Sequence, residues 1–367
     1  MTSPLKLDPD RLFPADPSTR GVARALYAEV AGLPIVSPHG HTDPEWWASD
    51  AHFTNAADLL LKPDHYVFRM LYSQGVSLDD LGIGEAPTDL RAAWRLFAER
   101  YHLFRGTPSR MWLDWVFAES FGIDVLLSAD TADHYFDTIN AKLVTDAFRP
   151  RALFERYNIE VIATTENPLD DLRHHQAIRD SGWGGKVVTA YRPDPVVDPD
   201  FEGFRENLAM LSDLTGEDCL SWRGYLEAHR QRRAFFAEMG ATSTDHGHPT
   251  ARTADLSDAE AETLFDRVKT GECSADDSEL FRAQMLTEMA GMSVDEVPVI
   301  LDLIRDLKRD HDRTILLVEH KMDVIRTLAD RIIVLHNGAL AADGDPATVM
   351  ASDVVQEAYM GRELTDV

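Results

Sequence analysis

The sequence has 367 residues, 44% of them apolar and 27% charged, an ordinary globular composition with room for one large domain or two modest ones. Its 63 acidic against 36 basic residues leave a net charge of −27, which argues against nucleic acid or an anionic membrane as partner, since both need basic surface. A small-molecule substrate fits better, and it can be anionic, because a few converging arginines make a locally positive pocket even in an acidic protein. The two cysteines, Cys219 and Cys273, are too few for a disulfide framework and wrongly spaced for a zinc ribbon, so they read as free thiols of a reducing compartment. Met1 to Pro14 has no apolar signal core, and no window approaches the ~18 consecutive apolar residues of a membrane span. A cytoplasmic location without membrane insertion is expected.

In chain order, Ser18 to Val30 predicts a helix with Ser18 or Thr19 near its cap and Val22, Leu26 and Val30 on one face. The short apolar run Ile35–Val36 predicts a strand that runs into Pro38-His39-Gly40-His41. From Glu45 to Pro150 no strand is convincing. Leu90, Trp94, Phe97, Tyr101 and Phe104 recur at three or four residues, and Met111 to Phe121 predicts a second aromatic helix. Strands return at Glu160 to Thr165 and Lys186 to Tyr191, separated by a helix over Leu169 to Asp180, the strand-helix-strand unit of a parallel sheet. A helical stretch from Phe201 to Met239 then leads to Gly240–Gly247, which reads as a short strand with a polar tip, and Phe281 to Met289 predicts a further helix.

Polar groups thus fall on four strand tips: His39 and His41, Glu166, Arg192 with Asp194, and Asp245 with His246. That distribution is the expectation for a (β/α) barrel, which builds its active site at the carboxyl ends of its strands. Two histidines separated by one residue on a strand project to one side, so His39 and His41 make half of a divalent-metal site that needs another ligand from elsewhere. The competing reading is a pair of loop histidines satisfied by hydrogen bonds. On a helix, Tyr66 and Arg69 share a face and can offer a phenol and a guanidinium to one ligand; the alternative is a core tyrosine and a surface ion pair. Arg192, held just past its strand by Pro193, is weighed the same way.

Taken together, SPHGHTDPEWWA (37–48), DHYVFRMLYSQGV (64–76), ATTENPLDDLRHH (163–175), KVVTAYRPDP (186–195), GATSTDHG (240–247) and FRAQMLTEMA (281–290) resemble uronate (glucuronate) isomerases of the amidohydrolase superfamily. The resemblance runs from about residue 5 to 290. It implies a distorted (β/α)8 barrel and aldose–ketose interconversion of D-glucuronate with D-fructuronate, or of D-galacturonate with D-tagaturonate. It further implies His39 and His41 as catalytic metal-site histidines binding zinc or manganese, Tyr66 as a catalytic and substrate-contacting phenol, Arg69 and Arg192 as substrate contacts, and His246 as the catalytic histidine of an Asp-His-Gly element. The partner is then a hexuronate, and a homo-oligomer is compatible with it. Glu166-Asn167 departs from the pair of aspartates common in the family.

From Gly291 the character changes. GMSVDEVPVILDLIRDL (291–307), RTILLVEHKMDVIRTLADRIIVLHNGALAADGDP (313–346) and ASDVVQEAYMGRE (351–363) resemble the carboxyl end of the ATP-binding subunit of a branched-chain amino-acid ABC transporter. Predicted elements here are a helix around Ile300–Leu307, strands Thr314–Glu319, Arg331–Leu335 and Ala339–Asp343 with a turn at Asn337-Gly338, and helices Met322–Leu328 and Val354–Met360. No phosphate-cradling G-x-x-x-x-G-K-[ST] loop occurs, so ATP binding is not expected. The predicted fold is therefore α/β. A partial or distorted (β/α)8 TIM-type barrel over 1–290, with a helical insertion at about 45–150, is followed by a small α/β segment over 291–367. The weighed alternatives to a uronate isomerase are an inactive fused polypeptide with a transporter-like tail and a metal-dependent hydrolase on the same scaffold. The aromatic insertion and the Asp64–Arg69 motif favour the isomerase.

Overall fold

The computed structural model describes residues 3–84, 89–290, 329–336, 339–352 and 355. Contacts divide the chain into two compact units, Met1–Thr250 with Leu256–Arg282, and Ala251–Asp255 with Ala283–Val367.

The first unit opens with helix α1 (Pro17–Val30), whose N-cap is Asp16 rather than Ser18 or Thr19. Asp16 accepts from the Thr19 amide at 2.8 Å, and Pro17 takes the first turn, where a missing N–H costs nothing. Strand β1 (Ile35–Ser37) follows. The insertion then runs through α2 (Pro44–Ser49), α3 (Ala56–Leu60), α4 (His65–Ser73), α5 (Leu90–Glu99), α6 (Pro108–Trp115) and α7 (Ala132–Leu143), all helical as its sequence predicts. The aromatic repeat is its core: Trp94, Phe97, Tyr101 and Phe104 are all buried, although α5 ends at Glu99 and the last two ride on a 3-10 turn. Their polar tips are satisfied, Trp94 Nε1 donating to the Ala132 carbonyl at 3.1 Å and the Tyr101 hydroxyl to Asp114 at 2.9 Å, as burial of such side chains requires.

After α8 (Pro150–Arg156) come β2 (Ile159–Glu166), α9 (Arg173–Asp180) and β3 (Lys186–Tyr191). The strands form a parallel sheet in the order β1-β2-β3, and the segment after Gly240 joins it through one parallel bridge, Tyr191 to Thr244. A parallel ladder with every crossover helical is the start of a barrel-type sheet, and all four carboxyl ends lie on one rim. One face of the sheet is covered: Ile162 and Val187 pack with Trp47, Phe154 and Ile178. By strand alternation Thr164 and Glu166 share that covered face with Ile162, whereas Thr165 points the other way.

Two helices differ from expectation. The stretch from Leu169 turns before it coils, because Asn167, Asp170 and Asp171 each cap a backbone amide two residues on and Leu172 is left-handed, so α9 starts only at Arg173. The helical stretch predicted over Phe201–Met239 is two helices, α11 (Phe204–Thr215) and α12 (Trp222–Glu238), preceded by the short α10 (Asp194–Val197). Gly216 in the left-handed region stops α11 and Ser221 caps α12. Helices α13 (Asp258–Thr270) and α14 (Ala275–Ala290) follow.

In the second unit β4 (Ile332–His336) and β5 (Ala339–Gly344) pair antiparallel, and α15 (Pro346–Met350) brings Val349 onto Ile332, Val334 and Val355. The other elements predicted between 291 and 328, the turn at 337–338 and the final helix except Val355 lie outside the described residues.

Candidate active site at the strand ends

Beyond β1 the chain brings His39 and His41 together, Nε2 to Nε2 at 3.1 Å with the rings nearly perpendicular. Their other nitrogens are engaged: His39 Nδ1 lies 3.3 Å from Asp245 Oδ2, and His41 Nδ1 lies 3.1 Å from Thr165 Oγ1. The carboxylate beside Nδ1 favours the His39 tautomer that carries its proton there. Thr165 has an outlet for its own proton in the Gly40 carbonyl at 3.3 Å, so it can accept from His41 Nδ1. Both Nε2 atoms then present lone pairs to one point, the arrangement a cation between them satisfies. Burial first, and then the neighbouring His39 and Arg192, hold the His41 pKa below the ordinary imidazole value, which keeps it in the neutral form that ligates metal. No third donor joins this pair in a cluster among the described residues.

From Asp245 the network continues. Arg192, just past β3, donates from Nη1 to Asp245 Oδ2 at 3.1 Å and from Nε to Asp194 Oδ2 at 2.7 Å. Asp194 is buried at the start of α10 and also accepts the Gly247 amide at 3.0 Å on each oxygen. A Cβ at Gly247 would sit 2.5 Å from Arg192 Nη2 and 2.9 Å from Asp194 Oδ2, so a larger residue there would displace these two side-chain tips. One polar chain, His41–His39–Asp245–Arg192–Asp194, thus links the ends of β1, β3 and the Thr244 bridge segment.

His246 sits beside this chain with Nε2 on Thr244 Oγ1 at 3.2 Å. Asp194, His246 and His248 place one ligand atom each within 4.8 Å of one another, a possible metal-binding site. His248 was not singled out by the sequence reading; the available signal was a second His-Gly-His tripeptide, 246–248, repeating 39–41. Tyr66 and Arg69 lie on α4, both exposed, and Arg69 has no hydrogen bond or ion pair among the described residues. The first turn of α4 is near enough for a charge on His65 to depress the His41 pKa. Glu166 is turned to the covered face of the sheet, where Thr164 and Thr189 donate to it and burial raises its pKa; it is not part of the polar chain at the rim.

Comparison with known proteins agrees with this architecture. The family profile described as glucuronate isomerase matches residues 18–317, past the break at about 290 that the sequence motifs suggest. Uronate isomerase of Sphingopyxis alaskensis is 70% identical over 300 residues, covering 81% of this chain and 64% of the relative; that of Rhizorhabdus wittichii is 68% identical over 294 residues, covering 80% and 63%. The crystal structure of glucuronate isomerase from Caulobacter crescentus superposes with a TM-score of 0.75 at 60% identity over 78% of this chain and 61% of that one. Uronate isomerase of Thermotoga maritima gives 0.69 at 25% identity over 77% and 61%. The chain therefore spans less than two thirds of the length of these relatives. It belongs to the glucuronate isomerase family.

Proposed function

We propose that the strand-end network serves uronate isomerisation, the interconversion of D-glucuronate with D-fructuronate or of D-galacturonate with D-tagaturonate. The observation that carries this reading is the continuous chain from His41 to Asp194, which sets an imidazole pair and an arginine on one rim. Aldose–ketose exchange moves a proton between C2 and C1 through an enediol and needs a carboxylate anchor, a proton carrier and stabilisation of the developing oxyanion. Arg192 is the anchor: two of its donors hold Asp194 and Asp245, and the remaining Nη2 hydrogens are left for the sugar acid. On this reading Arg69, without a protein partner among the described residues, is a second substrate contact and the exposed Tyr66 supplies a phenol as proton donor. His246 occupies the fourth strand end. His39 and His41 would hold a divalent metal, zinc or manganese, which when bound polarises carbonyl and hydroxyl oxygens.

The test is incubation of the purified full chain with D-glucuronate, with and without added zinc or manganese, watched by NMR. The expected outcome is the ketose signal and its loss in His39→Ala; no turnover under any of these conditions removes the proposal. On the same reading the tail from 291 is a fused segment resembling a transporter ATP-binding subunit. In support, its described hairpin is antiparallel, unlike the parallel ladder of the first unit. A labelled ATP analogue should not bind, because the sequence contains no phosphate-binding loop.

A further inference from the structure

We infer that Asp194, His246 and His248 form a second divalent-cation site, separate from the His39–His41 pair and suited to a borderline metal such as zinc or cobalt. Among the described residues, two imidazole nitrogens, His246 Nδ1 and His248 Nε2, are buried without a hydrogen-bond partner. The His248 side chain is only 4% exposed. When deprotonated, two such nitrogens side by side are completed by a ligand that accepts lone pairs. The carboxylate beside them divides its work. Asp194 Oδ2 holds Arg192 at 2.7 Å, while Oδ1 lies 3.6 Å from His248 Nε2. One donor from each residue falls within 4.8 Å of the others, whereas donors around a tetrahedral zinc with bonds of about 2.1 Å stand roughly 3.4 Å apart, so closure needs side-chain rotation of about an ångström.

The backbone is shaped for it. Gly247 lets the two histidines flank a residue with no side chain, and its amide pins Asp194 through both oxygens. Two histidines and an aspartate match the donor set of zinc sites that keep a position open. A cation there takes up part of the negative charge that Asp194 presents to Arg192, and so strengthens the field Arg192 offers an anionic substrate.

The site is tested on the full chain, stripped by chelator and titrated with zinc alone, bound metal being counted by mass spectrometry. His248→Ala and His246→Ala should each lose one equivalent relative to the parent, and the double variant His39→Ala/His41→Ala should keep that equivalent. If the His39–His41 reading fails, the parent binds a single equivalent that His248→Ala abolishes and the double variant retains. The inference is overturned if His248→Ala and His246→Ala bind as much zinc as the parent, or if the double variant binds none. A measurement without substitution guards against misfolded variants: on the unmodified chain, zinc should protect the part-exposed His246 from diethyl pyrocarbonate, read by peptide mass. Equal modification with and without zinc overturns the inference as well.

Discussion

Arg192 has five N–H donors and faces two carboxylates, and that arithmetic decides what a substitution does. Lysine keeps the charge but gives up the planar fork, so it cannot bridge Asp194 and Asp245 and also meet a sugar acid. If the proposed isomerisation holds, Arg192→Lys should raise KM for D-glucuronate roughly 10–100-fold, the range of one lost charge-assisted contact, with a smaller change in kcat; steady-state kinetics of parent and variant check this. His41 makes a prediction in pH. Its lowered pKa means that protonation of this imidazole competes with metal only below the ordinary imidazole range, and zinc affinity at the His39–His41 pair should fall as the pH is lowered. Calorimetric titration of His248→Ala, which isolates this pair, gives the profile. The pair was legible from its one-residue spacing, although both histidines lie past β1, in the bend after Ser37, rather than on the strand as expected. His248 was not, because its neighbours Asp194 and His246 meet it through an irregular loop that touches the sheet at one bridge.

At the scale of helices, two glycines make opposite predictions from the same chemistry. Gly21 lies inside α1 with nothing within 4 Å of an added Cβ, so Gly21→Ala should stabilise by about 0.5–1 kcal/mol through helix propensity. Gly224 lies in the first turn of α12, where a Cβ would come 2.9 Å from the Asp218 carbonyl carbon and closer still to its oxygen. Backbone cannot yield as a side-chain tip does, so Gly224→Ala should cost about 1–3 kcal/mol despite the better helix former. Urea unfolding of both variants gives the two signs. Further along α12, His229 is fully buried, accepts or donates at 2.8 Å with the Tyr191 hydroxyl, and is pushed down to about 3 by burial and by Arg233. An imidazole lowered in the folded state binds its proton only on unfolding, so its contribution is intact above about pH 6.5 and is lost as pH falls toward 3. The melting temperature should drop across that window, and His229→Gln should flatten the slope. Strands β2 and β3 were readable because β-branched runs with one covered face leave a clear pattern. The helical stretch over Phe201–Met239 was readable as such, and its division into α11 and α12 is written in its punctuation, Gly216 and Ser221.

Across the first unit, apolar surface and charge pull in opposite directions. Helix α1 buries none of its residues: Val22, Leu26, Tyr27 and Val30 are exposed, Leu26 by 67%, and Ile35 and Val36 of β1 are exposed with them. Among the described residues β1 has a single strand partner, β2, so an open edge adjoins this apolar strip. Exposed edges and patches of this kind drive association, whereas a net charge of −27 opposes it by repulsion between copies. Salt decides between them, because the screening length falls from about 10 Å at 0.1 M to about 3 Å at 1 M while the attraction of apolar surface does not weaken. Light scattering of the purified chain should therefore rise with sodium chloride over that range. Leu26→Glu, with Val22→Glu beside it, should remove most of the rise without lowering the urea midpoint, since neither side chain is buried. A scattering signal unchanged by salt, or by the two glutamates, would place the adhesive surface elsewhere.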